Sequence, residues 1–262
     1  MKKWLTMLLA ATMALALAAC GGKDAGESDT AYVKEKGTLV VGMTDFAPMD
    51  YKEEGSDEWI GFDADMAKAF AESLGVKAEF IEINWDSKAM ELETQAIDVV
   101  WNGMTLTDEV KGLLATSEPY CKNAQVVVLA ADQASQYMTA DSISGLSFAV
   151  ENGSAGMKAL DALGIAYTAV DTQAKALMEV ASGSVDACVI DLLMAGAMIG
   201  EGTSYPDLAT AAELQSEEYG VGFRKGSDLV DAFNSFWRDA YADGTVMSTA
   251  ETYGIAKNII AK

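Results

Sequence analysis

The side chains able to do chemistry are unevenly chosen in this chain. Its 262 residues include 40 Asp and Glu against 18 Lys and Arg, three cysteines and no histidine. Without histidine there is no Ser-His-Asp or Cys-His catalysis and no His-ligated zinc. Cys20, Cys121 and Cys188 form no Cys-x-x-Cys pair, which sets aside a cysteine-rich zinc or iron–sulfur centre. No metal and no cofactor are therefore expected. The formal net charge of −22 repels phosphate backbones and argues against nucleic acid as a partner. Any acid–base catalysis would fall to Asp, Glu, Lys or Tyr. No acid sits in a recognisable catalytic motif, however, and most must be solvated surface. Only two arginines are present, Arg224 and Arg238.

A few positions stand out by where they fall. Asp191 closes the apolar run Cys188-Val189-Ile190. A carboxylate there suits a bound cation or caps the next helix. Gly153-Ser154-Ala155 opens a helical pattern, where free backbone N–H groups can hold a carboxylate or Ser154 serves only as the cap. Asn102-Gly103 lets backbone approach a ligand closely or makes a turn. Phe46 and Trp85 lie in loops after strands, where an aromatic ring either clamps a ligand or packs into the core. Trp101 lies inside a strand and is expected to pack. Cys121 and Cys188 are expected to be two free buried thiols, although export would permit a disulfide.

The elements that position these residues alternate along the chain. Thr38-Leu39-Val40-Val41-Gly42 reads as a buried strand. Phe62, Met66, Phe70 and Leu74 recur at every fourth position, and Gly75 stops that helix. Strands are expected at 77–83 and 97–101, with a helix over 87–95 between them. This β-α-β-α-β order implies a parallel sheet with helices on its faces. The pattern restarts after Pro119-Tyr120. Strands are expected at 125–130, 146–150, 165–170 and 185–190, with helices at 156–163, 172–182 and 191–199. A strand at 219–223 and helices at 227–242 and 245–257 close the chain. Half of the residues are hydrophobic, enough for a real core. Open α/β sheets bind ligands at the carboxyl ends of their strands.

The first twenty residues read as an address. Met1-Lys2-Lys3 is a positive start, and Trp4 to Leu17 is an apolar run too short to span a bilayer. It fits the core of a signal peptide over residues 1–19. Leu17-Ala18-Ala19-Cys20 resembles a bacterial lipobox, which implies cleavage before Cys20 and acylation of its thiol. Residues 20–37 are small, polar and aperiodic, as expected of a lipid-anchored flexible tether.

Six stretches now line up in order: Leu39-Val40-Val41-Gly42, Gly61-Phe62-Asp63-Ala64-Asp65-Met66, Asp98 to Thr107, Ser117-Glu118-Pro119-Tyr120, Val185 to Asp191 and Tyr219-Gly220-Val221-Gly222-Phe223. Together they resemble the family 3 solute-binding proteins of polar amino-acid ABC transporters, over about residues 38–257. The resemblance implies a two-lobed, type II periplasmic-binding-protein-like α/β fold with two crossing hinge strands, near 119–125 and 215–220. Lobe 1 would comprise 38–120 and 219–262, and lobe 2 would comprise 121–218. The ligand would lie between the closing lobes of a monomer, anchored outside the cytoplasm by lipid on Cys20 and serving a permease and its ATPase subunits.

The resemblance also assigns roles. Asp191 would meet the ligand's ammonium, as would the Gly103 carbonyl. The Thr105 hydroxyl would donate to the carboxylate, beside Asn102, with Ser154 and its helix start facing it. Phe46 and Trp85 would sandwich the ligand side chain. One departure is plain: relatives carry an arginine five residues after the position of Thr105, and Val110 stands there. Three arrangements stay open. The carboxylate is held by Thr105, Ser154 and N–H groups alone; or Lys111, one position away and a point charge, reaches in; or the ligand lacks an α-carboxylate. Asp45, Glu151 and Asp191 all fall near the expected cleft, which favours a neutral or cationic ligand over glutamate or aspartate. A binding protein for transport is the leading reading. A dehydratase or lyase on the same fold, and a sensory lipoprotein for a non-amino-acid amine, are the alternatives.

Overall fold

A computed structural model describes residues 28–262. The signal peptide expected at 1–19, the lipidation site Cys20 and the first part of the tether lie outside the described residues. The elements in chain order are α1 (Asp29–Lys36), β1 (Thr38–Met43), α2 (Phe62–Ser73), β2 (Lys77–Glu82), α3 (Lys88–Glu93), β3 (Val99–Thr105), α4 (Asp108–Leu113), β4 (Ala115–Thr116) and β5 (Cys121–Ala130). They continue with β6 (Phe148–Glu151), α5 (Ala155–Leu163), β7 (Tyr167–Val170), α6 (Gln173–Ala181), β8 (Ala187–Asp191), α7 (Leu192–Met198), β9 (Leu208–Phe223), α8 (Leu229–Ala242) and α9 (Thr245–Thr252).

The strands form one curled mixed sheet in the order β2-β1-β3-β9-β5-β8-β6-β7, with β4 also on β9. At one end β1 runs parallel to β2 and β3. At the other, β6 runs parallel to β7 and β8. The antiparallel strands β5 and β9 join these two α/β lobes, pairing from Cys121↔Tyr219 to Ala130↔Leu208. The first lobe packs α2 and α8 around an aromatic cluster, in which Trp101 lies fully buried with its ring centroid 4.9 Å from that of Phe233. Phe62, Met66 and Phe70 supply the inner stripe of α2, as their spacing implies. Cys121 and Cys188 are free and buried.

The end of the expected tether is ordered instead. Residues 29–36 form α1, with Ser28 as N-cap accepting from Ala31 N–H and Gly37 as left-handed C-cap. It offers a single buried apolar residue, Val33, too little for an amphipathic period to show. Val33 and charge together hold it. The Arg224 guanidinium pairs with Asp29 at 3.0 Å, and Lys36 reaches the fully buried Asp98 at 2.6 Å. The first half of β9 likewise carries no local strand signal. Leu208 to Glu218 is rich in alanine and acids and poor in β-branched residues. Pairing with β5 imposes the strand there against weak intrinsic preference. Among the described residues no helix is long and apolar enough to cross a membrane.

Candidate functional site

The carboxyl ends of β3, β6 and β8 converge where β5 and β9 cross. A small cavity opens there, lined by Trp85, Asn102, Gly103, Thr105, Glu151, Ser154 and Asp191 from the expected set. Gln125, Ala155 and Gln173 complete it.

Its floor is acidic. Asp191 ends β8 and is buried. Gln125 Nε2 and the Tyr219 hydroxyl each donate to its Oδ1 at 2.8 Å, and Asn123 and Gln173 amides donate as well. It does not cap α7: the Leu193 N–H donates to Asn123 Oδ1 at 3.0 Å instead. Glu217 on β9 stands beside it. The same Asn123 and Gln125 amides donate to Glu217 Oε1 at 2.6 and 2.8 Å. Burial, reinforced by the neighbouring Glu217 charge, pushes the Asp191 carboxyl well above the usual carboxylate range. Glu151, closing β6, is 2 % exposed and its Oε1 has no hydrogen-bond partner. Burial lifts its pKa to about 8, against the pull of Lys88 across the cleft. None of these three carboxyls forms an ion pair among the described residues, although a buried charge normally requires one.

The opposite wall is built on a bulge in β3 between Val100 and Met104, a device that re-aims side chains at such sites. Gly103 has φ +55°, and a Cβ there would lie 2.6 Å from Phe46 Cε1. Only glycine fits. Its N–H donates to the buried Asp63 at 2.7 Å, and burial raises that carboxyl to about 7. The Asn102 amide is spent on structure. It donates to Thr44 O and Asp50 Oδ2 at 2.9 and 2.8 Å and accepts from Thr44. Ser154 caps α5, its Oγ accepting from Met157 N–H at 3.1 Å.

Three expected positions are placed elsewhere. Phe46 packs beneath Gly103, edge-on to Tyr219 at 6.4 Å, and lines no part of the cavity. It cannot form one face of an aromatic sandwich in this arrangement. Lys111 lies exposed on α4, outside the cavity, because one step along a helix turns it about 100° from the Val110 direction. Asp45 is exposed and outside the cavity as well. Both arginines are committed at a distance from the cleft: Arg224 to Asp29 and the carbonyls of Leu92 and Ile97, and Arg238 to Glu118 at 3.5 Å.

The residues missed at the floor share a signal. Asn123 and Gln125 on β5, and Glu217 and Tyr219 on β9, are polar positions two apart in paired strands, so they share one face. A second, larger cavity adjoins the first through Trp85, Thr105, Ser154 and Ala155, and Val110, Lys88 and Lys158 line it. The lobes meet here. Lys158 pairs with Glu109 at 3.3 Å, and Lys88 reaches the Gly153 carbonyl at 3.4 Å. The cleft is thus closed.

Two lobes on crossing strands, shut over a small polar cavity, define a ligand-capturing protein of the periplasmic-binding class. The chain belongs to the bacterial extracellular solute-binding proteins, family 3, whose pattern matches residues 39–256. It is 30% identical over 253 residues to the arginine-binding extracellular protein ArtP of Bacillus subtilis, covering 93% of this chain and 94% of that one. A mutant of ArgBP from T. maritima superposes with a TM-score of 0.79 at 32% identity, over 86% of this chain and 98% of that one. An ABC uptake transporter substrate-binding protein from Streptococcus pneumoniae with bound histidine gives 0.78 at 27% identity, over 87% and 96%.

Proposed function

We propose that this protein captures a cationic α-amino acid outside the cytoplasm and delivers it to the permease and ATPase subunits of an ABC importer. In this reading it acts as a monomer, is held near the membrane by lipid on Cys20, and returns its ligand chemically unchanged. The observation that carries it is the cavity floor: Asp191 and Glu151 line it, buried, with Glu217 behind Asp191 on the same Asn123 and Gln125 amides, and none of the three has an ion-paired cation among the described residues. Such a site stabilises an incoming positive charge and rejects a second carboxylate side chain. The similarity to arginine- and histidine-binding proteins supports the same ligand class. Ligand acts by shifting the population toward the closed form, which the permease recognises.

The test is a thermal-shift panel on ligand-stripped protein, with L-arginine, L-lysine, L-ornithine, L-histidine, L-cystine and L-glutamate. Ligand at 100 times its dissociation constant adds about 2.7 kcal/mol, or roughly 5–10 °C in Tm at this size. A shift with the cationic amino acids and none with glutamate is expected. Preference for glutamate, or silence throughout, overturns the reading, and so does conversion of the bound amino acid to another product.

A further inference from the structure

We propose that Lys88 is the cation that holds the ligand's α-carboxylate, in the place left empty by Val110. The proposal rests on reading the cleft as an amino-acid site. Lys88 opens α3 immediately after the turn that carries Trp85. Its ammonium lies 4.8 Å from the centre of the Trp85 ring and donates to the Trp85 carbonyl at 3.0 Å and, across the cleft, to the Gly153 carbonyl at 3.4 Å. Both partners are neutral. Lys88 forms no ion pair among the described residues; Glu151, Asp86 and Glu109 act on it only from beyond ion-pair distance, and burial holds its pKa below the ordinary lysine value. A largely desolvated ammonium with no acid in contact is costly unless an anion arrives.

The other cations near the cleft are occupied or misplaced. Lys158 is paired with Glu109 at the rim, Lys111 is exposed outside the cavity, and Arg224 and Arg238 serve lobe 1. Lys88 meets the second lobe at Gly153, next to Ser154 and the first N–H groups of the nine-residue helix α5. Those N–H groups favour an anion, and the Thr105 side of the cleft faces the same spot. The two adjoining cavities therefore present a cationic end at Lys88 and the start of α5 and an acidic end at Asp191 and Glu151. That polarity matches the two charged groups of an α-amino acid. It predicts that the protein discriminates against amines of the same side chain that lack the carboxylate.

Isothermal titration of the mature protein with L-arginine and agmatine, and with L-lysine and cadaverine, tests this. Lys88→Met should weaken amino-acid binding about 100-fold, the usual consequence of removing one partner of a buried charge pair, while leaving amine binding within about threefold. Lys88→Arg should retain most of the amino-acid affinity. Lys88→Met should also melt, ligand-free, no lower than the parent, because a desolvated charge is gone; Lys88→Gln is the substitute if it does not fold. Parental discrimination retained in Lys88→Met or Lys88→Gln overturns the role of Lys88 and leaves the amino-acid site intact. Failure of the parent protein to bind either amino acid overturns both readings.

Discussion

Replacing Glu151 by glutamine should stabilise the ligand-free protein, and by an amount that depends on pH. Burial raises this carboxyl from an ordinary 4.5 to about 8. The fold therefore disfavours its charged form. The penalty is absent below about pH 4.5, grows as pH rises and is complete above pH 8, since the folded group must hold a proton that the unfolded chain has released. At pH 7 the difference spans about 2.5 pH units at 1.36 kcal/mol each, or roughly 3 kcal/mol. Glutamine keeps the shape and carries no such cost. For a body of this size that is about 6–12 °C in Tm. Melts of parent and Glu151→Gln at pH 5, 6, 7 and 8, ligand-free, would show the gap opening with pH. Asp191, Asp50 and Asp63 also have raised pKa values, but they are common to both proteins and cancel in the difference. A gap of constant size from pH 5 to 8 would refute the argument.

Three further outcomes follow from the same geometry. Asp191→Asn should weaken L-arginine binding at least 100-fold in calorimetry, as expected for loss of one partner of a buried charge pair, while the amide network through Gln125 and Tyr219 keeps the protein folded. Gly103→Ala should cost about 1–3 kcal/mol in urea unfolding, since its φ is +55° and its Cβ would press on Phe46. Deleting residues 28–37 should lower stability by about 3 kcal/mol or more relative to 28–262, because Asp98 loses the Lys36 ammonium and Arg224 loses Asp29; paired melting curves would show it.

The two α/β halves were legible because their signals are local. Thr38 to Gly42 and Ala187 to Ile190 are short apolar runs, and Phe62, Met66 and Phe70 mark one helix face at regular spacing. Part of the candidate site was legible for the same reason: Gly103, Ser154 and Asp191 each sit in a stretch with its own pattern and Trp85 in a loop after a strand, while Thr105 is indicated only by the family resemblance; all five line the cavity. What failed was whatever depends on a distant partner. The first half of β9 exists by pairing with β5. Helix α1 docks through one buried residue, Val33, and ion pairs to residues 98 and 224. Asn123 and Glu217 become neighbours only when the two crossing strands are laid side by side. Phe46 takes the packing alternative rather than the clamp: a loop's sequence does not reveal which way its ring turns, and the bare Gly103 lets that ring tuck underneath.

Helix α1 has a mechanical consequence. The body begins at Ser28 rather than after residue 37, which leaves eight peptide links between it and position 20. Eight links span at most about 28 Å even when fully extended. If Cys20 carries the proposed lipid, that length bounds how far the body stands from the membrane. The Arg224–Asp29 pair, which ties α1 to the lobe that carries α8, fixes where that bound begins.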